Sequence, residues 1–114
     1  MVEERPDIGV REQTLGGVTL VEISGELDIL AASGLAPRMD ALTGAERLDL
    51  ILDLRQVTFM DCAGVSVLCR ARNRVLAGGG RLRLVIGDSR VRDLLRVVRL
   101  DGAFEVLEDL ASAA

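Results

Sequence analysis

The chain has 114 residues, 49% of them hydrophobic, and a formal net charge of −4. This length fits one domain, with an ordered core expected over about residues 8–112. With no His, Lys, Tyr or Trp, it lacks the commonest general base and metal ligand and excludes Schiff-base chemistry and a phosphate-loop lysine.

After a polar lead, Val10 to Leu15 reads as a strand and Gly16-Gly17 as a tight hairpin turn. Val18 to Ser24, rich in β-branched residues, returns antiparallel, and Gly25-Glu26-Leu27-Asp28 is predicted to leave the sheet. Leu35, Met39 and Leu42 then repeat at helical spacing, with Gly34 and Pro37 expected to make the first turns irregular or kinked. In the strand Leu48 to Leu54, the four leucines share one face. Asp49, Ile51 and Asp53 share the other, which predicts a sheet with one face in the core and the other partly wet. A second helix is predicted from about Ala63 to Ala77, buried through Val67, Leu68, Ala71 and Val75 and stopped by Gly78-Gly79-Gly80. Arg81 to Ile86 alternates as a strand. A third helix, capped by Asp88 or Ser89, buries Val91, Leu94, Leu95 and Val98. Gly102 breaks it, Phe104 to Val106 gives a short strand, and Leu107 to Ala113 gives a last helical piece. The order β-β-α-β-α-β-α, with a β-α ending, implies an α/β domain with a mixed sheet and helices packed mainly on one face.

Charge and cysteines narrow the function. Residues 1–61 hold twelve acids against five Arg, whereas residues 70–99 hold nine Arg against Asp88 and Asp93. Such a segment either steers an oppositely charged partner or forms solvated helix faces, the simpler reading for Arg90, Arg92, Arg96 and Arg99. Two aromatic residues, Phe59 and Phe104, give little to stack on bases, so no direct nucleic-acid contact is expected. No apolar run approaches the ~20 residues of a membrane span, and the acidic start is not a secretory signal. Two cysteines are too few for a disulfide framework. A cytoplasmic, membrane-free setting is expected.

The informative segment is Phe59-Met60-Asp61-Cys62-Ala63-Gly64, which joins the best strand to the second helix. Asp61 is placed as the helix N-cap, a role worth ~0.5–2 kcal/mol over Ala, and Cys62 as the first helical residue. The segment resembles the signature turn of the STAS domain family, specifically the bacterial anti-sigma factor antagonists, where it reads Asp-Ser-Ser-Gly, Asp-Ser-Thr-Gly or Asp-Ser-Ala-Gly. Gly25-Glu26-Leu27-Asp28 resembles a second family motif at the expected place, and the element order agrees over roughly residues 8–112. The resemblance implies a STAS-like fold. It also implies a partner, an anti-sigma factor that is a serine kinase of the histidine-kinase-like ATPase fold. Binding that partner frees a sigma factor and regulates transcription. Phosphorylation of the Ser after the motif Asp then ends the complex.

The sequence departs from that pattern at the decisive atom. Cys62 matches the phosphorylated Ser and Ala63 follows, so neither offers a hydroxyl. Regulation is therefore either constitutive, set by expression, or thiol-based. Cys62 reads as a small residue filling a helix start, or as a thiol switch, since a helix N-terminus favours the reactive thiolate while the Asp61 charge opposes it. A metal ligand is a third reading, against which stand the absent His and the three or four ligands that zinc needs. An internal Cys62–Cys69 disulfide is not expected, since seven helical residues span ~10.5 Å. Ser66, four residues on, is a candidate substitute phosphosite. The expected contact surface comprises Asp28, Asp61, Cys62, Ala63, Gly64, Ser66 and Arg70. The alternative is an accessory or sensing subunit that binds a small ligand or nucleotide, for example for a transporter. With no nucleophile–base pair visible, no enzymatic activity, cofactor or metal is expected.

Overall fold

A computed structural model describes residues 8–87 and 90–113. Strand β1 (Ile8–Leu15) turns through Gly16 and Gly17, with φ of 56° and 86°, into β2 (Val18–Leu27). Both turn residues need the left-handed region, which only glycine enters without cost. Helix α1 (Ile29–Leu42), β3 (Asp49–Met60), α2 (Cys62–Ala77), β4 (Arg81–Val85), α3 (Arg90–Val97), β5 (Glu105–Leu107) and a closing 3₁₀ turn (Leu110–Ala113) follow. The sheet order is β1-β2-β3-β4-β5, with β1 antiparallel to β2 and every later pair parallel. Because the order never reverses, consecutive right-handed crossovers place all three helices on the same face. Leu50, Leu52 and Leu54 of β3 meet Leu35 and Met39 of α1, Leu68 and Val75 of α2, and Val91 and Leu95 of α3 in one core.

Several sequence expectations are corrected. Strand β2 does not end at Ser24 but runs through Gly25-Glu26-Leu27, and β3 continues to Met60. Irregular register between Glu22 and Ser24 and between Gly25 and Glu26 adds residues to β3 there. Its core-facing positions therefore run Leu50, Leu52, Leu54 and then Val57 and Met60. A β-bulge keeps the strand in the sheet while breaking its two-residue alternation. Helix α1 is unbroken across Gly34 and Pro37. The carbonyl of Ser33, which Pro37 cannot serve, lies on an exposed turn that water reaches. The second face of the sheet is drier than predicted: Ile51 and Asp53 are buried, and Leu20, Ile51 and Val85 form a small cluster under Leu107 and Leu110. The short strand starts at Glu105, one residue later than expected, and the last helical piece is 3₁₀. The predicted cap residues Asp88 and Ser89 lie outside the described residues.

Candidate functional site

The parallel strands deliver their C-terminal ends to one edge of the sheet, where two helices begin side by side. Leu27 of β2 is in register with Met60 of β3, so Asp28 and Asp61, each next in sequence, sit at the same end. Each is an extended N-cap. Asp28 accepts from the Ala31 N–H at 2.9 Å, and Asp61 accepts from the N–H groups of Ala63 at 2.9 Å and Gly64 at 3.3 Å. The caps satisfy backbone donors that the helix itself leaves unpaired. Each carboxylate thus ties down the start of its own helix.

Cys62 is exposed and free at the start of α2, Ala63 is half-buried against the core, and Gly64 is fully covered. The reason for glycine is close packing: a Cβ at position 64 would fall 2.6 Å from Cγ of Met60 and 2.9 Å from the carbonyl oxygen of Leu27. Gly64 therefore seats α2 on the end of β2, and it offers no surface to a partner. Cys69 is partly buried against the core.

Cys62, Ser66 and Arg70, at i, i+4 and i+8, form one exposed stripe of α2. The Ser66 hydroxyl donates to the Cys62 carbonyl at 3.0 Å. Arg70 grips Asp40 of α1 with two hydrogen bonds, at 2.7 and 3.0 Å. The Arg70 hydrogen bond, with its charge, holds the Asp40 carboxyl below the usual range although desolvation works against it. Arg74 adds hydrogen bonds to the Thr43 hydroxyl and the Asp40 carbonyl, tying α1 to α2.

Three surface residues that sequence reasoning passed over complete the edge. Ile29 and Leu30, directly after Asp28, are 74% and 64% exposed, and Phe59, two residues before Asp61, is 41% exposed. Ile29 and Leu30 lie off the buried stripe of α1, which was the signal available in the sequence. Phe59 points outward because the β3 bulge resets the alternation. Exposed apolar side chains thus lie at the sheet end that carries the two caps, with Leu30 facing the groove that Ile8 and Val10 line.

Most arginines of the basic segment make hydrogen bonds or ion pairs within the fold. Arg70 and Arg74 bind α1, Arg72 donates to the Ala103 carbonyl, Arg81 pairs with Glu105, Arg83 with Asp49, and Arg92 donates to the Gly87 carbonyl. Arg90, Arg96 and Arg99, on and after α3, are exposed.

The family model of the STAS domain matches residues 10–113. The chain belongs to the STAS domain family. Among solved structures it is similar to an anti-sigma factor antagonist from Mycobacterium paratuberculosis, with a TM-score of 0.83, 24% identity, and coverage of 98% of this chain and 95% of that one. It is also similar to the Bacillus cell-fate determinant SpoIIAA in its phosphorylated form (TM-score 0.69, 18% identity, 92% and 96% covered). A third likeness is to the murine solute carrier 26 family member A9 anion transporter (TM-score 0.71, 21% identity), where it covers 89% of this chain but 18% of that one. No curated protein matches by sequence. At these identities the structural likenesses establish the fold: a mixed α/β STAS fold with a five-stranded sheet and three helices.

Proposed function

We propose that this STAS protein is an anti-sigma factor antagonist of the bacterial cytoplasm. It binds an anti-sigma factor of the ATPase serine-kinase type and thereby releases a sigma factor for transcription. The supporting observation is the juxtaposition at one sheet edge of two capped helix starts, the exposed Cys62, and the exposed Ile29, Leu30 and Phe59. Small apolar anchors ringed by polar caps give a partner surface both affinity and register. The full-length likeness to an anti-sigma factor antagonist agrees with it. No catalytic step is needed, since the caps are engaged and the action is contact alone.

In this reading Cys62 leaves the complex without the usual hydroxyl at the phosphorylated position. Antagonism is then either set by expression or ended by oxidation of the thiol. Loss of binding under mild oxidant that is spared in Cys62→Ser would assign the thiol route, and unchanged binding would remove it.

The test is affinity capture from lysate of the source organism in the presence of ADP or ATP, followed by calorimetry with the captured ATPase. Leu30→Asp and Phe59→Ser should each weaken binding at least about tenfold, or ~1.4 kcal/mol, without loss of folding. Capture of no ATPase, or full affinity in both variants, would sink the reading. The transporter likeness supports a second reading, an accessory domain for a membrane transporter. Capture of a transporter subunit in place of an ATPase would select it.

A further inference from the structure

We infer that Ser66 is a phosphorylation site that takes over the regulatory role Cys62 cannot fill; this rests on the antagonist reading above. Ser66 stands one helical turn beyond Cys62 on the same exposed stripe, so a partner covering Cys62 also reaches it. Among the described residues its hydroxyl donates to the Cys62 carbonyl alone, an exposed bond that water replaces readily. One further turn on stands Arg70, and acid at i with base at i+4 is the favourable order on a helix.

The step itself balances. Ser66 Oγ attacks the γ-phosphorus of a nucleoside triphosphate held by the partner kinase. The new O–P bond forms as the bond to the β-phosphate oxygen breaks, the hydroxyl proton passes to a base of the kinase, and nucleoside diphosphate leaves. The product adds about −1.5 to −2 charges and three strong acceptors.

Two consequences follow from the neighbours. The phosphate competes with Asp40 for the Arg70 guanidinium, which now makes a two-point contact with that carboxylate. Asp40 would keep Arg74, at 3.7 Å, as its remaining cation. The phosphate also rims the shallow groove between α1 and α2 that Ala36, Met39, Val67 and Ala71 line. Modification therefore alters the charge of the contact stripe and loosens the link between its two helices, and both effects expel a partner docked there. Thr58 is also exposed near this edge, but it lies on the β3 bulge and not on the Arg70 stripe.

The experiment uses the full chain, the captured kinase and ATP, with intact mass and peptide mapping as readout. Wild type should gain one phosphoryl group on Ser66, Ser66→Ala none, and Cys62→Ser a second group at position 62. Ser66→Glu should bind the kinase about tenfold or more weakly than Ser66→Ala, the equivalent of ~1.4 kcal/mol. If wild type stays unmodified, or carries the group on Thr58, while Cys62→Ser is modified, the inference is overturned and the antagonist reading stands. If the kinase neither binds nor modifies any of these proteins, both fall.

Discussion

Gly64→Ala isolates the packing that positions the site. An added Cβ would lie 2.6 Å from Cγ of Met60, 3.1 Å from Cγ of Leu27 and 2.9 Å from the Leu27 carbonyl oxygen. The methionine can yield, but the carbonyl belongs to a paired strand, so the start of α2 must move. Overpacking of this kind costs ~1–3 kcal/mol, and the better helix propensity of Ala returns up to ~1 kcal/mol. The net loss should be ~1–2 kcal/mol, with a fall in Tm of roughly 4–8 °C per kcal/mol for a domain near this size. Gly34→Ala is the matched control: it lies in a helix too, but an added Cβ there meets nothing within 4 Å. It should stabilise by ~0.5–1 kcal/mol. Urea and thermal unfolding of both variants decide the matter. Gly64→Ala unfolding at or above the wild-type midpoint would refute the argument that this glycine seats the helix.

Three further outcomes are expected. Asp61→Ala should lose ~1 kcal/mol through its uncapped N–H groups while Asp61→Asn stays within a few tenths, as read by urea unfolding; equal losses would mean the charge and not the cap matters. Burial pushes the Asp53 carboxyl up, but the side-chain and backbone hydrogen bonds of Arg55 outweigh it and leave the group below its ordinary value. A lowered folded value stabilises above the unfolded one, near ~3.9, and this is lost as pH falls through the folded value. Asp53→Asn should therefore cost ~1–2 kcal/mol at neutral pH, allowing for the partly exposed guanidinium, with the gap to wild type closing below about pH 4; a constant gap would contradict it. Arg83 is buried, pairs with Asp49 at 2.9 Å and leaves its Nε unpartnered. Arg83→Met should be neutral or stabilising, because its apolar replacement removes a desolvation cost, whereas Asp49→Ala should destabilise; the reverse order in urea midpoints would refute this.

The elements were legible wherever one local period persists. The leucines alternate cleanly from Leu48 to Leu54, and the α2 stripe repeats at helical spacing, so the first half of β3 (from Asp49) and α2 (from Cys62) were legible to within a residue. The second half of β3 was not legible, because its core residues Leu54, Val57 and Met60 are three apart, a spacing produced by bulges that only pairing with β2 creates. The dry second face was hidden for a similar reason: Leu107 and Leu110 reach Ile51 and Val85 only through the tertiary path of the chain end. The cap at Asp61 is local and was legible, whereas the matching cap at Asp28 emerges only in the structure. Gly64 was singled out but its role is internal. Arg70 was expected as free surface, and the carboxylate it holds lies thirty residues away on α1, a distance no local pattern bridges.

The turn that carries Cys62 does two separate jobs. The fold requires a cap at the start of α2, and Asp61 supplies it through its own carboxylate to Ala63 and Gly64. It also requires a residue without a side chain where α2 meets Leu27, and Gly64 supplies that. Position 62 serves neither need: its side chain is exposed, so a hydroxyl or a thiol there leaves cap and packing unchanged. The packing of the turn is thereby independent of the side chain at position 62. On the proposed antagonist reading, Ser66, on the same stripe with Arg70 one turn beyond, is the hydroxyl that would take over control at little structural cost.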